Sequence, residues 1–266
     1  MGYSSETGTS DGESRSESVV RDDSGDLASL FDLLRDRRRA GGRAKLIDTG
    51  KLAIPDLERL AEAGMEITSS DAVRTDAHGL VLIAIAAGKG GSSLSYFVHG
   101  SLDDAAREAG IALDDVLELV RTGARLAVSS GRVARAAATL GRLADACRKG
   151  GTRLIHYHAG PAEASLVETC RAGAWLHLDA AAQDPADAPL VRDCARAARS
   201  AGAGLVLHVS GTIDPGAFAD LYESGAFILF HTPPADYRDP RRALEARAKA
   251  RPLPASASHL FPGFML

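Results

Sequence analysis

Residues 172–180 read "AGAWLHLDA". A helix-stopping glycine is followed at once by a short apolar strand, and the same unit recurs along the chain. It returns as "GGRAKLID", "AGMEITSSD", "GGSSLSYFVHG", "TGARLAVSSG", "GGTRLIHYHAG", "AGAGLVLHVSG" and "SGAFILFHT". Glycine suits the left-handed conformation that ends a helix. The pattern predicts eight strands, starting near residues 44, 65, 93, 125, 153, 174, 204 and 226. Between them lie helical stretches such as "IPDLERLAEAG" and "PAEASLVETCRAG". Strands alternating with helices imply parallel pairing through helical crossovers. Eight such units fit a closed (β/α)8 TIM barrel of class α/β. A doubly wound open sheet is the structural alternative. Its nucleotide-binding forms carry a Gly-rich first turn, and "DTGKLAIP" contains no GxGxxG.

Residues 1–24 are rich in Ser, Gly and acids, and that composition predicts a disordered acidic tail. The first 25 residues hold six acids and two bases, which accounts for the whole net charge of −4. Residues 25–251 are expected to form the barrel with a preceding helix. Residues 252–266, broken by proline and apolar at the end, are expected to pack against the barrel or a second subunit, so a homo-oligomer is anticipated. No basic patch suggests nucleic acid; "RDRRRAGGR" (35–43) reads as a solvated helix end. No apolar run is long enough to span a bilayer, and no signal-peptide pattern opens the chain. Cys147, Cys170 and Cys194 read as buried small residues of a reduced compartment rather than a disulfide or zinc framework. A cytoplasmic protein is the expectation.

Alternate residues of a strand face opposite sides, and the helix-facing set of a barrel strand should be apolar. That rule turns Trp175, His177 and Asp179 inward, with Val206, His208 and Ser210, and Phe227, Leu229 and His231. In "LIHYH" (154–158) it places Ile155 and Tyr157 outward and His156 and His158 inward. It sends Ser95, Phe97 and His99 in, with Leu46 and Asp48 on the first strand, and phases Lys45 outward. Glu66 and Arg125, deeper in the barrel, are expected to form a structural ion pair. Six of the eight histidines then line the interior near the C-terminal strand ends, where barrel active sites form.

Crowded imidazoles disfavour each other's charged forms, and neutral imidazole ligates metals or exchanges protons. The leading expectation is an enzyme in which a divalent metal (Zn, Mn or Fe) assists hydrolysis or lysis of a small polar substrate. His156, His158, Asp179 and His208 are the candidate metal ligands. His99, His177, His231 and Asp48 are the candidate catalytic groups. The bland alternative is a hydrogen-bonded histidine interior in a non-catalytic barrel that serves binding or assembly.

The segment "VSGTIDPGAFADLYESGAFILFHTPPADYRDPRRAL" (209–243) resembles the seventh and eighth strands of the ribulose-phosphate-binding barrels. That resemblance implies phosphate binding by the loops after both strands, at Ser210, Gly211, Thr212 and Thr232. Isomerase, decarboxylase or synthase chemistry on a phosphorylated sugar-like substrate would follow. The second loop departs from the pattern: His231-Thr232-Pro233-Pro234 replaces the usual glycine, and proline has no N–H to offer.

Overall fold

The computed structural model describes residues 17–21, 26–100, 102, 111–130, 136–183, 185–210 and 215–231. They form β1 (Glu17–Arg21), α1 (Leu27–Arg39), β2 (Arg43–Ile47), α2 (Ile54–Glu62), β3 (Glu66–Ser70), α3 (Ala77–Lys89), β4 (Leu94–Val98) and α4 (Leu113–Arg121). β5 (Arg125–Ser130), α5 (Ala137–Lys149), β6 (Leu154–His158), α6 (Ala164–Arg171) and β7 (Trp175–Asp179) follow. α7 (Ala188–Ser200), β8 (Leu205–Val209), α8 (Pro215–Glu223) and β9 (Phe227–Phe230) complete the series. From β1 to β5 and from β6 to β9, each strand pairs in parallel with its neighbour in chain order. This is the α/β class and the strand–helix repeat of a TIM barrel. No described helix is long and apolar enough to cross a membrane.

The expected strands β2 to β9 all appear, within a residue of their anticipated starts. β1 is an addition. It takes residues 17–21 out of the anticipated tail and pairs them with β2, Val19 opposite Lys45. Main-chain bonds suffice for such an edge strand: Val19 remains 53% exposed, so apolar burial, the criterion applied to the tail, is not what orders it. The rest of the tail and the segment 252–266 lie outside the described residues.

Contacts divide the chain into two units. The first comprises residues 1–128 and 145–154, the second 129–144 and 155–266. In the first, Leu57, Leu60, Ile67, Leu80, Ile83 and Leu94 are fully or almost fully buried. In the second, Leu176, Leu178, Leu205, Leu207 and Val209 pack under α6 and α7 against Leu166, Cys170, Val191 and Cys194. All three cysteines are free and buried, as anticipated.

The joint that ends α6 shows how each strand is set. Gly173 has φ of 97°. Its N–H donates to Cys170 O at 2.9 Å, and the N–H of Ala174 reaches back to Thr169 O at 3.3 Å. These two bonds close a Schellman motif, which only a residue at ease with positive φ can occupy. Two residues later β7 begins with Trp175 on the face away from the helices. Every later helix-to-strand joint is built the same way around a positive-φ glycine, and so are the earlier ones at Gly41 and Gly64.

The register corrects the expected facing of two strands. In a parallel pair, partnered residues share a face. Tyr157 is opposite His177 and Ile155 opposite Trp175, so Ile155 and Tyr157 lie on the face with His177. His156 and His158 pair with Leu176 and Leu178, on the helix-covered face. On β2, Lys45 pairs with Glu66, and Leu46 with the buried Ile67. Leu46 and Asp48 therefore belong to the helix-covered face, and Lys45 to the other. The remaining strands face as expected.

Candidate functional site

Three imidazoles join end to end at the C-terminal ends of β7, β8 and β9, all within the second unit. His177 Nδ1 lies 2.9 Å from His208 Nε2. His208 Nδ1 lies 2.8 Å from His231 Nε2. The strands dictate this row. Asp179 pairs with His208 across β7 and β8, so His177 and His208 are diagonal neighbours on one face. The backbone N–H of His231 donates to Val209 O at 3.1 Å, extending the ladder by one residue past β9. His208 and His231 stack with centroids 5.0 Å apart.

Each of these contacts needs one proton between two nitrogens. A neutral ring carries a single N–H, so neutral His208 donates to one neighbour and accepts from the other. The row is thus directional, and moving one proton within each ring reverses it. Burial is the main force on its charge state. His177 is pushed down to about 3 by desolvation first, then by the neighbouring His208 and His156. His208, half-buried, is also lowered, by burial and then by His231, while the carboxylate of Asp179 acts in the opposite direction. Tyr157 packs on His177 with ring centroids 4.5 Å apart, and burial raises its phenol to about 12.

The row opens on a cavity of about 350 Å³ lined by Tyr157, His158, His177, Asp179, His208 and His231, together with Ser129, Ser130 and Ser210. The Asp179 carboxylate also accepts the Ala181 N–H at 2.9 Å. Gln183 ties the rim together. Its Nε2 donates to Gly160 O at 3.1 Å and Asp179 O at 3.0 Å, and its Oε1 accepts the Ala162 N–H at 2.8 Å.

Three of the expected metal ligands, His158, Asp179 and His208, line this cavity, but the set does not gather around one point. His156 and His158 lie on one face of the sheet, Asp179 and His208 on the other. Among the described residues no three His, Cys, Asp or Glu side chains gather as a metal centre. The nitrogens of the histidine row are engaged with each other at 2.8–2.9 Å, closer than two ligands of one ion would be held. The donor set as arranged does not fit a metal.

Asp48 and His99 belong to the first unit. Asp48 is buried, and its carboxylate accepts from Arg74 Nε at 2.5 Å, Arg74 Nη2 at 2.9 Å, Ser69 Oγ at 2.7 Å and the Gly50 N–H at 2.9 Å. Such a set holds a loop. His99 is exposed, and its backbone N–H donates to Asp71 at 3.0 Å. Glu66 pairs with Arg43 at 3.1 Å. Gly211, Thr212 and Thr232 lie outside the described residues; Ser210 lies on the cavity wall. Ser130 and Gln183 were not singled out from the sequence. A serine ending a strand and a glutamine in "AAAQD" carry no motif.

No family model and no curated protein matches the chain. Solved structures similar to it include a deoxyribose phosphate aldolase from Aeropyrum pernix, described as tetrameric. It is 17% identical, with 80% of this chain and 83% of that chain covered and a TM-score of 0.35. Another is a 3-dehydroquinate dehydratase from Aquifex aeolicus VF5, 10% identical over 80% and 85% of the two chains, with a TM-score of 0.35. A D-psicose 3-epimerase is 17% identical over 66% and 78%, with a TM-score of 0.33. At these values no activity passes from them to this chain.

Proposed function

We propose that the second unit holds an enzymatic site that moves protons on a small polar substrate, in the manner of an isomerase or a lyase. The observation that carries this reading is the Nδ1-to-Nε2 row of His177, His208 and His231 opening on a cavity of about 350 Å³. His231, exposed at the end of the row, serves as the general base. Its Nε2 is engaged by His208, so its Nδ1 is the nitrogen of the row left to take a proton from substrate. His208 and His177 are positioning residues: burial favours the neutral form of both, and their bonds fix which nitrogen of His231 carries hydrogen. The metal-assisted hydrolysis that the histidine count invites has no fitting donor set among the described residues.

The test is deuterium incorporation from D2O into a panel of small hydroxyaldehydes and hydroxyketones, each with and without a phosphate, followed by proton NMR. The native protein is expected to label at least one compound, and His231→Asn to slow that labelling by about 100-fold or more. Labelling confined to phosphorylated compounds would support phosphate binding near Ser210. No labelling above the buffer rate, or equal labelling by His231→Asn, overturns the reading.

A further inference from the structure

The helix-covered face carries a second hydrogen-bonded set, and its proton positions can be worked out. His158 Nε2 is 2.8 Å from Pro161 O. A carbonyl only accepts, so that nitrogen carries hydrogen. With His158 neutral, its Nδ1 is then an acceptor, and the Ser130 hydroxyl, 3.0 Å away, donates to it. Having donated its single hydrogen, Ser130 Oγ accepts from His156 Nε2 at 2.6 Å. The other acceptor near Ser130 is Tyr157 O at 3.5 Å, too distant to compete. A serine whose hydrogen points at an imidazole, with that imidazole oriented by a third group, is the arrangement of an activated nucleophile. The backbone is shaped around it. A side-chain carbon at Gly160 would stand 3.2 Å from His158 Nε2, so the residue there has to be small. Ser130 and His158 both line the cavity described above.

We infer that Ser130 is a nucleophile for acyl groups, with His158 its general base and the Pro161 carbonyl the group that orients His158. The inference does not rest on the histidine row. As the bond from Oγ to the acyl carbon forms, the hydroxyl proton passes to His158 Nδ1. The Pro161 carbonyl keeps its bond to Nε2–H of the resulting imidazolium. His158 then gives its proton to the departing alkoxide as the bond between acyl carbon and ester oxygen breaks. Water, activated by the same nitrogen, adds to the acyl-serine and releases the acid and free Ser130. The class of substrate is a small ester that fits about 350 Å³.

A fluorophosphonate tests this without knowledge of the ester. The full chain is incubated with the reagent and the modified peptide mapped by mass spectrometry. Attack forms a bond from Ser130 Oγ to phosphorus and expels fluoride, and the proton leaves through His158. The expected result is an adduct on Ser130 that is absent in Ser130→Ala and forms about 100-fold more slowly in His158→Gln. Gly160→Ala, which presses on His158 while leaving every reacting group in place, is expected to slow labelling as well; it serves if His158→Gln does not fold. Ser130→Cys treated with iodoacetamide reads access alone. Alkylation of that cysteine without phosphonylation of native Ser130 overturns the inference, because the serine is then reachable but not activated. Failure of both reactions overturns it too, as does labelling that ignores both His158→Gln and Gly160→Ala.

Discussion

Acid should destabilise the second unit through His177, and the size of the effect can be worked out. In the folded chain this imidazole is held neutral down to about pH 3, against an ordinary value of 6.5, first by burial and then by His208 and His156. Unfolding frees it to bind a proton at the ordinary value. Between those two values the unfolded chain binds more protons than the folded one, so stability falls as pH falls. Above pH 6.5 the penalty is absent, and at pH 3 it is nearly complete. Each pH unit within the window costs about 1.4 kcal/mol, so the loss at pH 5 is about 2 kcal/mol. His208 acts in the same direction, which makes a comparison necessary. His177→Gln removes the titrating ring and keeps a partner for His208. Urea unfolding of both proteins at pH 7 and pH 5 can be followed by the fluorescence of Trp175, the single tryptophan of the sequence. The native protein should lose about 2 kcal/mol more than the variant between those pH values. Equal losses, within about 0.5 kcal/mol, would refute a buried neutral His177.

Three further outcomes follow from the packing. Arg74→Met strips both guanidinium bonds from the buried Asp48 carboxylate and should cost about 3–5 kcal/mol in urea unfolding; a loss below about 1 kcal/mol would place the pair among surface ion pairs. Gly204→Ala would put a carbon 2.6 Å from Trp175 Cζ3 and 2.7 Å from Phe227 Cε2. The overpacking should cost about 1–3 kcal/mol and alter the near-ultraviolet circular dichroism of Trp175. Gln183→Ala releases three bonds that join the Gly160–Ala162 loop to Asp179. Hydrogen exchange at the Ala162 amide should speed up by about tenfold or more, the loss of roughly one hydrogen bond.

The strand repeat was legible because each strand follows a glycine joint and holds an apolar run. The facing of β2 and β6 was not, because apolar alternation is a poor guide where both sets are mixed. In β6 the choice lay between Ile155 with Tyr157 and Leu154 with two histidines. The latter are buried because Ser130 and Pro161, on other segments, complete their bonds. In β2, Asp48 sits toward the helices because Arg74, 26 positions later, meets it there. Such partners are tertiary facts. One local signal did carry the answer. Counting from the positive-φ glycine of each joint, the residues at even distances face away from the helices. Gly151 predicts Ile155 and Tyr157, Gly41 predicts Lys45, and Gly173 predicts His177. The histidine row was visible as a count of histidines at strand ends, but its Nδ1-to-Nε2 order was not.

Those joints act as a reading frame for side chains. Adding one residue between Gly173 and Trp175 would turn β7 over, driving His177 into the leucine core and Leu176 out to the face His177 now occupies. Adding two would restore the facing and shift the strand by one pleat. The glycine end of each strand is therefore intolerant of single insertions and deletions. The opposite end, where Asp179, Ser210 and His231 stand, has no such frame to keep. Loop length can change there without inverting a strand, so the chemistry at those strand ends is free to diverge while the glycine joints hold the fold in phase.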